Sequence, residues 1–357
     1  MKVWCFFAAL VLAVTAVPIP EEERASGVNG WYVPQINGTE QWVTLKEGEI
    51  MLAELEEQEN RNADVYDNEN PHIMGRFSTV PVTFYLFTNK NPIKAQKITA
   101  TKKSIDISDF DGSKRTRLLI HGWFQSHKSS MNSEIRSAWL SSGNYNVIIV
   151  DWGRARGEYV TAVAAVSKVG DKVASLIDYL VENYGMNLNE TQVIGHSLGA
   201  HVAGYAGKNI KNGMLQAIVA LDAALPLFSY NKPNKRLSVN DAQYVEGIHT
   251  NGGGLGYLQP LGKADFYPNG GKSQPGCFWD LTGACDHARS FAYYAEAVAR
   301  DSFTSMRCAD YQQAVKNNCG GSYSSVKMGA ETNCYVVSGE YYVPVHSASP
   351  FGFALGA

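Results

Sequence analysis

The residues most able to do chemistry are Gly195-His196-Ser197-Leu198-Gly199, a G-x-S-x-G sequence. An apolar run, Gln192-Val193-Ile194, precedes it, and an Ala- and Gly-rich stretch, Ala200 to Lys208, follows. With a strand before and a helix after, the motif describes a tight turn that lifts the serine hydroxyl above a sheet edge. The new helix then points its N-terminus, with its partial positive charge, at the reaction site. An ordinary Gly-rich turn is the alternative, and the flanking elements favour the nucleophile. The chemistry implied is acyl transfer through a serine, which needs a base to take the hydroxyl proton and a carboxylate to hold that base. It also needs two backbone N–H donors aimed at the developing oxyanion. Leu198, directly after the serine, supplies one. Trp123, at the end of Ile120-His121-Gly122-Trp123, is the candidate for the other, with a packing role as its alternative.

These groups need elements to hold them. Val82-Thr83-Phe84-Tyr85-Leu86-Phe87 is strand-like. Arg117-Leu118-Leu119-Ile120, Asn146-Val147-Ile148-Ile149-Val150 and Ala217-Ile218-Val219-Ala220-Leu221 are short apolar runs of the buried-strand type. Between them, Val160, Val163, Val166, Val169, Val173, Leu176, Ile177 and Leu180 recur at helical spacing. Alternating strands and helices predict an α/β fold with a mostly parallel sheet covered on both faces. In nucleophile-elbow folds the acid and then the histidine follow the serine along the chain. Asp222 closes the first strand after Ser197, so its carboxylate should reach the same sheet edge; a turn or helix-capping role is the alternative. Four histidines follow the serine. His201 should point back into packing, His249 ends a strand-like run and reads as buried, and His346 lies among Ser and Pro. His287 follows Cys285-Asp286 and opens the helical stretch Ala288 to Arg300; on position alone it leads the four by a narrow margin.

The chain has 357 residues, 45% of them apolar, and a formal net charge of −3 with Lys and Arg scattered. It can bury a large core, and no basic block suggests nucleic acid or an electrostatic membrane tether. Residues 1–16 read as a signal peptide: Lys2, the apolar run Val3 to Val14, and a small-residue cleavage site at Val14-Thr15-Ala16. That run is too short to span a bilayer, and no other segment is long and apolar enough. The mature chain is therefore expected to be soluble and secreted. Residues 17–76, rich in Glu and Asn and interrupted by Gly30-Trp31-Tyr32-Val33-Pro34, read as a polar N-terminal extension or propeptide, packed on or cleaved from a domain at 77–357. Five cysteines lie beyond the signal, all in the last third. Export favours disulfides, and two close pairs are candidates, Cys277 with Cys285 and Cys308 with Cys319. Cys334 is then left free or bound to another molecule; spacing does not fix the connectivity. Asn37-Gly38-Thr39 and Asn189-Glu190-Thr191 are glycosylation sequons.

Taken together, these motifs resemble the pancreatic-lipase-like family of secreted animal lipases, from about residue 76 onward. The resemblance rests on Leu119-Ile120-His121-Gly122-Trp123, Val150-Asp151-Trp152, the elbow extended to His201, Leu221-Asp222, Ile248-His249-Thr250, Asp265-Phe266-Tyr267-Pro268-Asn269-Gly270-Gly271 and Cys285-Asp286-His287. It implies an α/β-hydrolase fold, a triad of Ser197, Asp222 and His287, and oxyanion donors at Trp123 and Leu198. It implies hydrolysis of lipid esters and a lipid interface as partner. The departures are informative. The sequence ends where the family's catalytic domain ends, so no C-terminal β-sandwich and no colipase are expected. The loop between Cys277 and Cys285 holds only Phe278 to Ala284, similar to the short-lid phospholipase A1 branch, and such a loop implies a more open site. Asp241 matches a calcium-site carboxylate, but Pro233 and Ser238 stand where acids would be, so no cofactor or metal is expected. Ala223 follows Asp222 where proline is usual. The resemblance leaves phospholipase A1 and neutral glyceride lipase side by side. A yolk-type lipid-binding storage protein of the same fold is the non-enzymatic alternative, distinguished by the triad.

Overall fold

The computed structural model describes residues 19–69 and 80–353, with side chains described outside 59–69. The signal-peptide reading of residues 1–16 therefore falls outside the described residues.

An N-terminal hairpin, β1 (Gly30–Pro34) and β2 (Glu40–Thr44), leads into the long helix α1 (Leu45–Glu69). The junction is a capping box: the Glu47 carboxylate accepts from Thr44 N–H at 2.9 Å, and Thr44 Oγ1 accepts from Glu47 N–H at 3.3 Å. Then follow β3 (Val82–Phe87), β4 (Gln96–Ile98), α2 (Lys102–Asp106), β5 (Thr116–Ile120), α3 (Ser130–Ser142), β6 (Asn146–Trp152) and α4 (Tyr159–Tyr184). The centre of the chain is β7 (Thr191–His196), α5 (Leu198–Asn209), β8 (Ala217–Leu221), β9 (Tyr244–Ile248) and β10 (Ala264–Pro268). The last part holds α6 (Ala284–Arg300), β11 (Met306–Arg307), α7 (Tyr311–Val315), α8 (Asn333–Val336) and β12 (Gly339–Val343).

Among the described residues one large sheet runs β11-β12-β10-β9-β8-β7-β5-β6-β3-β4. From β12 to β6 every neighbouring pair is parallel; β3, β4 and β11 close the edges antiparallel. This is an α/β-hydrolase fold. The central strands are apolar throughout because both faces are covered. Alternate residues divide between two cores: Leu118, Ile120, Val193, Ile218 and Ala220 pack toward α4 and α5, while Leu119, Ile149, Ile194, Val219 and Leu221 pack toward α3 and α6. That is the period of two expected of a pleated strand. The predicted helical stretch is α4, whose valine and leucine stripe is buried on the sheet and on α5.

The N-terminal extension is not surface decoration. Trp31, Val33 and Val43 belong to the same core as β5, β6 and α4, and α1 packs on α4. Burying Val33 and Val43 contributes roughly 1.5–3 kcal/mol each. In a Glu- and Asn-rich segment these few apolar side chains, with Leu45, Met51 and Leu52 packed beside the same core, hold its described part in place. No described helix is long and apolar enough to cross a membrane.

Candidate active site

Ser197 sits between the last residue of β7 and the first of α5, at φ 55° and ψ −122°. This is the strained turn that the motif demands. Crowding makes the glycines necessary. A Cβ on Gly199 would collide with the Ile120 carbonyl oxygen of β5, and one on Gly122 would come within 2.7 Å of Ser197 Cβ. The nucleophile turn and the loop after β5 are thus held in direct contact.

That loop carries Trp123. Its indole N–H donates to Gly157 O at 2.8 Å, and its ring meets Phe124 and Tyr159 edge-on, with centroids 4.6 and 5.3 Å apart. The neighbouring N–H groups are spoken for: Gly122 N–H donates to Gln125 Oε1 and Phe124 N–H to Ala155 O, both at 2.8 Å. Neither the Trp123 N–H nor the Leu198 N–H donates in any turn, loop or cap hydrogen bond of the described residues. An oxyanion hole needs two backbone donors beside the nucleophile. The Trp123 side chain fixes its loop through these contacts.

Asp222 follows β8 and is fully buried, at φ 46°. One carboxylate oxygen accepts from Thr250 N–H at 2.7 Å and Asn251 N–H at 3.0 Å; the other accepts from His287 Nδ1 at 2.5 Å. His287 lies in the first turn of α6, directly after the Cys277–Cys285 disulfide, and its N–H caps back to Gly283 O at 2.9 Å. With Nδ1 committed to Asp222, the remaining nitrogen, Nε2, is the one left for a substrate-side proton. His287 and Ser197 line one cavity of about 510 Å³, together with Trp123, Pro226, Leu255 and Phe291. Among the described residues no hydrogen bond joins Ser197 to His287; such contacts commonly tighten only when substrate binds.

The adjacent His196 completes the packing. Its ring lies 4.5 Å from that of His287, with Nδ1 against Gln125 Oε1 at 3.2 Å and Nε2 against His287 O at 3.3 Å. Burial, and then the neighbouring His287, holds its pKa well below the usual histidine value. The other candidate histidines lie elsewhere. His201 is fully buried with both nitrogens bonded, to Ala224 O at 2.7 Å and Leu237 N–H at 3.1 Å, and burial lowers its pKa to about 3. His249 is tied to Asp265 and Tyr257. His346 stacks on Phe353, 3.8 Å between centroids.

Both cysteine pairs are disulfide-bonded, Cys277 to Cys285 and Cys308 to Cys319, and Cys334 is free. Burial pushes the Cys334 thiol up to about 12, which keeps it protonated. The sequon residues Asn37 and Asn189 are exposed. Asp241, which matches a calcium-site carboxylate by resemblance, is engaged within the chain. Both Asp241 oxygens are used: Oδ2 by Lys208 Nζ at 2.5 Å and Ser238 N–H at 2.8 Å, Oδ1 by the Ser238 hydroxyl at 2.9 Å. Lys208 Nζ also donates to Arg236 O at 2.9 Å. An ammonium group already pairs with this carboxylate, and Pro233 and Ser238 add no acid beside it, so these residues do not fit calcium. Among the described residues no cluster of three or more His, Cys, Asp or Glu side chains is arranged for a metal.

One feature of the cavity departs from the sequence reading. The Cys277–Cys285 loop is short as expected, and Phe278, Trp279 and Leu281 are 90%, 69% and 97% exposed. Ser197 itself is 7% exposed, at the bottom of the cavity. Residues Pro34, Gln35 and Gly38 to Glu40 of the N-terminal hairpin line the same cavity as Ser197. Sequence reasoning missed them because nothing in the hairpin carries a catalytic residue type; the aromatic interruption at Trp31 and Tyr32 was the available signal.

Fold and elbow together define a serine hydrolase framework of the α/β class. The family model for lipases matches residues 50–351, and the chain belongs to the lipase family. It is 35% identical over 266 residues to pancreatic triacylglycerol lipase of Myocastor coypus, covering 68% of this chain and 58% of that one. It is 36% identical over 265 residues to pancreatic lipase-related protein 2 of Homo sapiens, covering 67% and 56%. The chain thus spans under three fifths of the length of these relatives. An esterase of Pyrococcus furiosus is matched over 51% of this chain and 70% of its own, at 16% identity and a TM-score of 0.30, too partial a likeness to carry an argument.

Proposed function

We propose that this chain is a secreted serine carboxylic-ester hydrolase acting on lipid esters, with phospholipids or neutral glycerides as its substrates. The observation that carries the reading is His287. Its Nδ1 is held by a fully buried aspartate, and the residue shares an apolar-walled cavity with a serine on a strained elbow. Membership of the lipase family and likeness to proteins named as triacylglycerol lipases support the lipid substrate.

In the proposed cycle Ser197 Oγ attacks the ester carbonyl carbon while His287 Nε2 takes its proton. Asp222 keeps the imidazole in the tautomer that can accept at Nε2 and stabilises the imidazolium. The Trp123 and Leu198 N–H groups receive the oxyanion. His287 returns the proton to the leaving alcohol, and water, activated by the same histidine, releases the fatty acid from the acyl-enzyme. Every proton passes between His287 and the reacting oxygens, so no metal is needed. Residues 1–16 serve as an export leader in this reading, and two disulfides suit an oxidising compartment.

The test uses the mature protein and Ser197→Ala. Fatty-acid release is measured from phosphatidylcholine labelled separately at sn-1 and sn-2, beside a triacylglycerol emulsion. The expected result is Ser197-dependent release, reduced by at least about 10³-fold in the variant with its melting curve unchanged. Release from sn-1 alone marks a phospholipase A1; release mainly from the emulsion marks a neutral lipase. A folded protein silent on every ester overturns the proposal in favour of lipid binding without turnover.

A further inference from the structure

We infer that the N-terminal hairpin is a fixed wall of the substrate cavity and sets which acyl chains reach Ser197; the inference rests on the ester-hydrolase reading for its substrate. At the tip of the hairpin, Pro34, Gln35 and Gly38 to Glu40 line the cavity that holds Ser197 and His287. It lies outside residues 50–351, the part matched by the lipase family model. The wall is therefore supplied by a segment that the family pattern does not describe.

Its stiffness follows from its attachments. The two strands pair from Gly30↔Thr44 to Pro34↔Glu40. The turn is closed by Gln35 N–H to Thr39 O at 2.8 Å and by Gly38 N–H to Gln35 O at 3.0 Å. Asn37 Oδ1 accepts from Thr39 N–H at 3.1 Å and from its hydroxyl at 2.7 Å, which braces the tip from within. At the base, Trp31, Val33 and Val43 are 0–3% exposed in the main core. Beyond the base, the Thr44–Glu47 capping box joins the hairpin rigidly to α1, and Glu49 of that helix pairs with Lys232 at 2.6 Å. Swinging the tip away as a lid would drag Trp31 and both valines into water. A tip that cannot leave acts on substrate by its shape.

The Cys277–Cys285 loop reaches the cavity only through Thr282 and Ala284 at its end, while Phe278, Trp279 and Leu281 project into solvent. The hairpin thus does from one side what that short loop does not do from the other. The cavity, about 510 Å³, is within the roughly 300–1,000 Å³ of sites that enclose one ligand-sized group. The wall beside Gln35 bounds it, so added bulk at Gln35 shortens the space available to a long chain and spares a short one.

The experiment uses the full chain, p-nitrophenyl esters from butyrate to palmitate, and two variants of the same hairpin. Gln35→Trp adds bulk at a cavity-lining position; Gln41→Trp adds it at an exposed position off the cavity. Gln35→Trp is expected to lower kcat/KM for palmitate at least tenfold while butyrate changes less than twofold, and Gln41→Trp to change neither. A second readout needs no turnover: binding of the fluorescent fatty acid cis-parinaric acid should weaken at least fivefold in Gln35→Trp alone. Equal effects on short and long esters, or unchanged palmitate turnover and unchanged cis-parinaric binding in a Gln35→Trp protein that melts like the parent, overturn the inference. If the parent hydrolyses no ester, the hydrolase reading falls, and the binding arm by itself decides for or against the wall.

Discussion

The sheet carries two histidine–aspartate contacts, His249–Asp265 and His287–Asp222, that are alike in burial and differ at one nitrogen. His249, after β9, places Nε2 2.8 Å from Asp265 Oδ1 and Nδ1 2.7 Å from Tyr257 O. Both partners are oxygens, so both nitrogens are engaged in an arrangement that favours the charged ring. Burial opposes that charge, but Asp265 outweighs it, and the His249 pKa lies above the ordinary value. Tyr267 stacks on one face at 4.6 Å, and Asp265 is further held by Leu261 and Gly262 N–H groups, both at 3.0 Å. This pair is closed on every side. The His287–Asp222 pair is equally buried on the aspartate side, yet leaves Nε2 uncommitted in a residue that lines the cavity. The difference teaches that a buried His–Asp contact becomes a general base only where the second nitrogen remains open; otherwise it is a brace.

The comparison breaks most sharply by deleting each imidazole. His287→Ala should lower ester turnover by at least about 10³-fold in protein that still folds, although it too strands a buried carboxylate, Asp222, and so lowers stability. His249→Ala should leave turnover in place. It strands a buried carboxylate, which costs roughly 2–5 kcal/mol, while the folded fraction keeps kcat within a few-fold. Urea unfolding and steady-state kinetics on both variants decide it. Loss of turnover in a fully folded His249→Ala would mean that the closed pair reaches the chemistry after all.

The sequence made the open pair more legible than the closed one. Gly195-His196-Ser197-Leu198-Gly199 needs a strand before it and a helix after it, and both are local patterns. Asp222 follows because a strand end is a fixed place on the sheet edge. His287 was weakly separated from three other histidines by position; what distinguishes it is the bond to Asp222 across 65 residues of chain, together with the engagement of both nitrogens in His201 and His249. The hairpin wall was illegible for the opposite reason. Its anchoring is a few apolar side chains scattered through a Glu- and Asn-rich segment, and its contribution to the cavity is shape, which no residue type announces.

Glu246, on β9, sharpens the comparison, because it is a closed group without a counter-charge. Burial raises its pKa from 4.5 to about 7, although Tyr244 Oη, Asn333 Nδ2 and Gly329 N–H all donate to it. From about pH 4.5 to pH 7 the folded chain holds a proton that the unfolded chain has released. Stability should therefore fall as pH rises through this window, by on the order of 3 kcal/mol in total. Glu246→Gln keeps an acceptor for Gly329 and removes the titration, so its stability should be flatter over the same range. Thermal unfolding of parent and variant from pH 4.5 to 8 measures this. Parallel curves would show that Glu246 ionises without cost.

The smallest expected effect concerns Lys208 and Asp241, a closed pair standing where the family resemblance would put a calcium carboxylate. Asp241 is 4% exposed, and its oxygens already receive an ammonium, a hydroxyl and a main-chain N–H. A divalent ion would have to displace Lys208 Nζ from both Asp241 and the Arg236 carbonyl, leaving a second cation beside the first. Like charges this close repel strongly in a poorly solvated site. The internal ammonium thus does the bracing of the loop from Arg236 to Asp241 that a metal would otherwise do. EGTA should change neither ester turnover nor the melting temperature, and added calcium should raise neither. A drop in either quantity on chelation would mean that an ion is held by residues other than this pair, and the closed-brace reading of Lys208 and Asp241 would then explain the local fold but not the stability of the whole.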